Sequence, residues 1–257
     1  MAGMAASSVL RWDTLDERKH KGHNLYYDLF RWKLLQLPPD VHRFCDPLLS
    51  APRRKELLHL VRSLEEESSC QRLQILFSFS VPSPPVLDLL CALHYPLVSA
   101  GAGTGYWEFL LKSRGLDVVA FDQNRIFPPE MRYTEIMTGG PELLENYPDR
   151  ALFLAWPDAD ESSRFSVDCL AYFRGHTLIH VGEMLGETLS SNPWGQSSSR
   201  DFQLALAEDF CCVKRIRLPN WPGHVDSFTV WKRKNPQFVL CDGAHFQYVD
   251  TQLEVDQ

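Results

Sequence analysis

Three glycines at alternate positions, Gly101, Gly103 and Gly105, follow the apolar run Leu97-Val98-Ser99-Ala100, and Asp122 closes a second apolar run downstream. Glycine lets a backbone come close to a ligand where a Cβ would block it. A helix after such a turn presents N–H groups that its own residues cannot bond. An acid at the end of the next strand can accept hydrogen bonds from both hydroxyls of a ribose. Together these residues suit an adenosine-bearing ligand. Two phosphate-binding alternatives fail on spacing. A P-loop needs G-x-x-x-x-G-K-[ST], with its lysine on the phosphates, and this turn has no lysine in place. The dinucleotide fingerprint needs G-x-G-x-x-G. Counted from Gly101, its third glycine is replaced by Tyr106.

A second group of residues could carry chemistry. Trp156-Pro157-Asp158 follows the fourth strand-like run and Glu183 follows the fifth. Ligands of open α/β sheets sit outside the carboxyl ends of the strands, so both segments face the crevice of the glycine turn. An indole N–H only donates, so Trp156 offers a stacking face or a π surface for a cation. Asp158 and Glu183 are the candidate catalytic groups, able to take a proton or position a nucleophile. An edge-packed Trp beside a solvent-facing Asp is the plainer alternative. The segment from Gly186 to Ser199 contains Asn192-Pro193-Trp194-Gly195 and reads as a loop able to close over a substrate, or as an ordinary surface connection. Trp156, Pro157 and Trp194 are thus the candidate substrate-pocket residues. His224 and Asp226 read as parts of a solvated turn, and Arg18-Lys19-His20-Lys21-Gly22-His23 as a solvated charge run.

These residues need elements to hold them. Leu25, Leu29 and Trp32 share one helical face, with Tyr26, Phe30 and Leu34 beside it, and the pattern stops at Pro38-Pro39. A second helix starts after Ser50 with Pro52 in its first turn and carries a stripe of Leu57, Leu58, Val61 and Leu64. A third apolar stretch covers 73–79, and a short helix covers 86–93. From there strands at 97–100, 118–122, 151–156 and 177–181 alternate with helices at 106–114, 142–146, 166–172 and 202–209. Continuous apolar strands alternating with helices predict a mostly parallel sheet covered on both faces. The last two strands, 212–218 and 228–231, are joined too briefly for a crossover helix, so they pair antiparallel. The domain reading is a helical N-terminal extension over 1–80, an α/β domain over 81–235 and a tail over 236–257.

The spacing Gly101-x-Gly103-x-Gly105, with Asp122 on the next strand and the antiparallel final pair, resembles class I S-adenosylmethionine-dependent methyltransferases over roughly residues 86–234. The resemblance implies a Rossmann-like, mostly parallel seven-stranded sheet with an antiparallel last strand, and S-adenosyl-L-methionine as cofactor. It implies that Gly101, Gly103 and Gly105 lie under the methionine part and that Asp122 holds the ribose. An N-terminal extension in that family often helps form the substrate pocket, which would bring Tyr26, Tyr27, Phe30 and Trp32 near it. The sequence also departs from the family. Many members carry an acid two residues before the first glycine, where this chain has Ser99, which can hydrogen-bond but carries no charge. An acid after the third strand is replaced by Thr138-Gly139-Gly140. The Asp- or Asn-Pro-Pro-aromatic motif of amine-methylating members is matched only at Pro157.

Composition bounds the rest. A net charge of −7 over 257 residues argues against general nucleic-acid binding and leans the acceptor towards a protein or small molecule. No run is long and apolar enough to cross a bilayer, and no cysteine pair has zinc-knuckle spacing. Seven scattered cysteines read as buried small hydrophobes in a reducing compartment, cytoplasm or nucleus. Asp13, Asp16 and Glu17 disfavour a mitochondrial address. The expectation is methyl transfer from S-adenosylmethionine. The alternative is a methyltransferase-like binding or scaffold protein without turnover.

Overall fold

Short runs of apolar and β-branched residues become strands with both faces covered. In the computed structural model, β1 (Leu97–Ala100), β2 (Val118–Asp122), β4 (Ala151–Ala155) and β5 (Thr177–Gly182) are buried almost throughout. They join β3 (Met137–Thr138), β6 (Phe210–Arg217) and β7 (Ser227–Arg233) in one sheet of order β3-β2-β1-β4-β5-β7-β6. The first five strands are parallel neighbours, and β7 runs antiparallel to both β5 and β6. This is the Rossmann-like, mostly parallel seven-stranded sheet with an antiparallel last strand that the sequence implied. The structure describes residues 22–66, 69–123, 126–158 and 162–234. Residues 1–21, with Arg18 to Lys21 of the basic cluster among them, and the tail over 236–257 lie outside them.

Period-two alternation splits the sheet into two apolar faces. On β4, Ala151 and Phe153 enter one cluster, while Leu152 and Leu154 enter the other. The first cluster is closed by α1 (Leu25–Leu34), α3 (Ser69–Leu76), α4 (Pro84–Ala92) and α5 (Tyr106–Lys112), through residues such as Tyr26, Phe30, Leu87 and Leu110. The second is closed by α6 (Phe165–Tyr172) and α7 (Arg200–Asp209) through Cys169, Phe202 and Leu206. A further helix, α2 (Ala51–Glu66), buries Leu57 and Val61.

The N-terminal helices are fastened by polar bonds as well as by burial. Asn24 caps α1 by accepting from the Tyr27 N–H at 3.2 Å, and its Nδ2 donates to the Pro82 carbonyl at 2.7 Å. The Tyr106 hydroxyl accepts from the Tyr26 N–H at 3.1 Å and donates to Asn24 Oδ1 at 3.2 Å. The Trp221 indole donates to the Tyr26 hydroxyl at 3.0 Å. Tyr106, whose presence breaks the dinucleotide fingerprint, is thus the post that ties α1 to the glycine turn.

Several expectations change. The 142–146 helix is a 3₁₀ turn over Pro141–Asn146, and α5 ends at Lys112. The 73–79 stretch divides: α3 ends at Leu76, and the following segment runs over the mouth of the turn described below. Trp32 is 39% exposed, because α1 buries Tyr26 and Phe30 instead. Among the described residues Cys45, Cys211 and Cys212 are exposed, Cys91 is half-buried, and Cys70 and Cys169 are the buried small hydrophobes expected.

Candidate functional site

Strand order reverses between β1 and β4: the chain moves outward from β1 to β3 and then returns to β1's other side. A crevice opens at the carboxyl ends of the strands at such a switch point. Here it is a cavity of about 700 Å³, lined by the glycine turn, the ends of β2 and β4, the start of α6 and the segment 74–80. The size falls within the roughly 300–1,000 Å³ of small-molecule sites.

The turn after β1 is left-handed at all three glycines, with φ of 71° at Gly101, 58° at Gly103 and 73° at Gly105. Residues with a Cβ rarely adopt this conformation. A Cβ on Gly101 would also stand 2.9 Å from the Phe165 ring that lines the cavity. At Gly103 the backbone N–H donates to Asp122 Oδ2 at 2.9 Å. The turn and the acid of β2 are therefore one unit, and both line the cavity. A carboxylate can accept several bonds at once, so the N–H fixes Asp122 without exhausting it.

Beneath the turn lies a carboxylate that sequence reasoning missed. Ser99 on β1 donates from Oγ to Glu108 Oε1 at 2.5 Å. Glu108, in the first turn of α5, is buried and lines the cavity. Burial pushes its carboxyl up to about 7, against the smaller opposing effect of the Ser99 bond. A carboxyl beside position 99 is thus contributed by α5. Its sequence signal was an acid among apolar neighbours, since Tyr106, Trp107, Leu110 and Leu111 are all buried.

At the end of β4, Trp156 adopts φ 50°, a strained value for a bulky side chain. Its indole donates to Asp226 Oδ1 at 2.9 Å and its ring stacks on Phe79, with centroids 5.2 Å apart and 14° between planes. Phe79 is 41% exposed. The two rings, with Phe127 and Phe165, give the cavity an aromatic wall. Asp226 is buried, not solvated as the sequence suggested, and burial raises its carboxyl to about 8.

Asp158 also lines the cavity, yet it is buried and its oxygens are engaged. Ser163 Oγ and the Ser166 N–H donate to Oδ1 at 2.7 and 3.1 Å. Ser166 Oγ and the Ser199 N–H donate to Oδ2 at 2.5 and 2.6 Å. These bonds fasten the starts of α6 and α7 to the end of β4. Pro157 lies beside it on the cavity wall.

Glu183 and Trp194 lie elsewhere than the sequence suggested: neither lines the cavity. Glu183 is buried within its own loop, where Oε2 accepts from Thr188 Oγ1 and the Gln196 N–H, both at 3.0 Å. Trp194 rests under the Arg200 guanidinium, 5.9 Å from the ring centroid, and its carbonyl accepts from Gln203 Nε2 at 2.7 Å. The loop turns inward on Glu183 because that carboxylate gathers its N–H and hydroxyl donors.

Among the described residues no group of His, Cys, Asp and Glu could hold a metal, and no helix is long and apolar enough to cross a membrane. His180, buried in β5, has no partner for either ring nitrogen, and burial lowers its pKa to about 3.

No protein-family model matches the chain, and no curated protein matches it. Among solved structures it is similar to the 1,6-didemethyltoxoflavin N1-methyltransferase of Burkholderia thailandensis, solved with S-adenosylhomocysteine. Identity there is 16%, over 74% of this chain and 93% of that one, with a TM-score of 0.43. It is also similar to the magnesium protoporphyrin IX methyltransferase of Synechocystis PCC 6803, at 13% identity over 76% of this chain and 90% of that one, TM-score 0.43. A methyltransferase of Streptomyces caelestis matches at 14% identity over 60% of this chain and 91% of that one, TM-score 0.39.

Proposed function

We propose that this chain binds S-adenosyl-L-methionine and transfers its methyl group to a small, planar acceptor. The observation that supports it most is the left-handed glycine turn whose Gly103 N–H fixes Asp122, set at the sheet's switch point. The residues present suit the cofactor. The turn offers a surface without Cβ atoms, Asp122 can accept from a ribose diol, and Phe127 and Phe165 offer apolar faces for a base.

When bound over the glycine turn and Asp122, S-adenosylmethionine would supply an electrophilic methyl carbon on cationic sulfur, with the neutral thioether as its leaving group. The protein's part is alignment and exclusion of water. Trp156 and Phe79 supply a flat face for the acceptor, and the segment 74–80 roofs the cavity. Asp158 and Glu183, the bases expected from sequence, anchor loops in our reading. The acceptor therefore attacks through a lone pair it already exposes at working pH. A concave, aromatic-walled cavity of about 700 Å³ suits a small molecule.

The commitment of both carboxylates also suits the second reading, a binding or scaffold protein without turnover. Incubation with methyl-labelled S-adenosylmethionine and separate metabolite, protein and RNA fractions distinguishes the two. Label in a metabolite, lost in Asp122→Ala, is expected. Cofactor binding with no labelled product in any fraction would instead establish the scaffold.

A further inference from the structure

Glu108 is an ionisable group in the cavity wall that the reading above does not use. It is 2% exposed. Its Oε1 is held by Ser99, while Oε2 has no hydrogen-bond partner. Buried carboxylate oxygens nearly always have donors, because leaving one bare forfeits the hydration it had in the unfolded chain. Nearby groups do not supply one. Lys112, one turn further along α5, favours the ionised form from a distance, but its ammonium donates to Thr134 Oγ1 at 3.1 Å. Asp122 across the turn is an acceptor and opposes ionisation. Trp107 donates its indole N–H to Ser80 Oγ at 3.1 Å.

The other carboxylates of the cavity wall have different surroundings. Asp158 accepts four bonds, and Asp168 lies 3.8 Å from the Arg164 guanidinium. Glu108 therefore combines burial, a place in the cavity wall and an acceptor without a donor. What suits it is a cation carrying N–H groups, since a charge-assisted bond from an ammonium meets both the charge and the bare oxygen.

We propose that Glu108, held by Ser99, accepts a hydrogen bond from the primary ammonium of the bound ligand, the amino-acid end of S-adenosylmethionine or its product. This rests on the cofactor reading above. With the diol on Asp122 at the end of β2, the ligand crosses the glycine turn towards β1 and α5, where Glu108 stands. Ser99 fits its position because a hydroxyl can donate to the carboxylate, and a second acid there would repel it. Position 108 thereby discriminates between ligands that carry the ammonium and those that end at the sulfur.

Calorimetric titration of the full chain with S-adenosylhomocysteine and with 5′-methylthioadenosine tests this, because the second ligand keeps adenosine and sulfur but lacks the ammonium. Glu108→Gln keeps an acceptor for Ser99 and should weaken S-adenosylhomocysteine about tenfold or more. Methylthioadenosine should bind the variant within about twofold of the wild type. Equal loss for both ligands, or no loss for either, would overturn the role of Glu108 while leaving the cofactor reading intact. Failure of the wild type to bind either ligand would overturn the cofactor reading and this one with it. If the variant does not fold, the wild type alone decides through titrations near pH 7 in two buffers of different ionisation enthalpy. Proton release with S-adenosylhomocysteine but not with methylthioadenosine is expected, since the ammonium would draw the proton from Glu108. The same proton count for both ligands would contradict it.

Discussion

Three carboxylates and one indole carry most of what individual residues contribute. Asp122 is fixed by the Gly103 N–H and faces the cavity. Replacing it with alanine should weaken S-adenosylmethionine by about 1–3 kcal/mol, read by calorimetry. Unchanged affinity would remove Asp122 from the ribose contact. Glu108 and Asp226 both hold their protons more tightly when folded, at about 7 and about 8, because burial disfavours their charged forms. Their unfolded values lie near 4. Between those limits the folded chain binds more protons than the unfolded chain, so stability is greatest below about pH 4 for these groups and falls as pH rises through 7 and 8. Asp40 and Asp46 are shifted downward by Arg53 and Arg43, so their opposite contribution lies at lower pH, whereas buried His180, lowered to about 3, opposes the decline up to its unfolded value of about 6.5 without reversing that of two carboxyls. Urea unfolding of the ligand-free protein should show stability declining from pH 5 to pH 8. The decline should be shallower in Glu108→Gln and in Asp226→Asn, and an equal slope in all three would refute the assignment. Trp156→Phe keeps the ring but removes the N–H that Asp226 accepts, so it should cost about 1–3 kcal/mol of stability.

At the scale of elements, the glycine turn and the anchored loops decide the cavity's shape. Gly101→Ala puts a Cβ into a left-handed residue and against the Phe165 ring, 2.9 Å away. It should lower stability by about 1 kcal/mol or more and reduce ligand affinity by crowding the same space. Asp158→Ala releases four donors at the starts of α6 and α7 and should destabilise the fold by about 3 kcal/mol in chemical denaturation. Strands β1 and β2 match their apolar runs in the sequence residue for residue, because strands buried on both faces read as unbroken apolar segments. The two-residue β3 is exposed at the sheet edge, and at that length no run can mark it. The glycine turn and Asp122 were legible because their chemistry is local. The Phe79–Trp156 stack and the Ser199 bond to Asp158 join residues distant in sequence, and the Ser99–Glu108 bond needs the turn between them to fold, so only the fold reveals them. Glu183 and Trp194 were misplaced for the same reason: proximity to a strand end does not say whether a loop turns outward over a cavity or inward on its own carboxylate.

Across the whole molecule, the N-terminal helices and the sheet are joined in one apolar cluster. Tyr26 and Phe77 stack at 5.0 Å, Tyr26 bonds Trp221 from the last loop, and Phe77 and Phe79 line the cavity. The extension that sequence divides off at residue 80 thus supplies both core and cavity lining, tying the glycine turn, the aromatic wall and the sheet together. The central claim is that this assembly recognises S-adenosylmethionine. Its most direct test is isothermal titration of the full-length chain with S-adenosylhomocysteine, with NAD titrated in parallel. One site saturated by S-adenosylhomocysteine and no heat from NAD is the expected result. Saturable binding of NAD with none of S-adenosylhomocysteine would contradict the account.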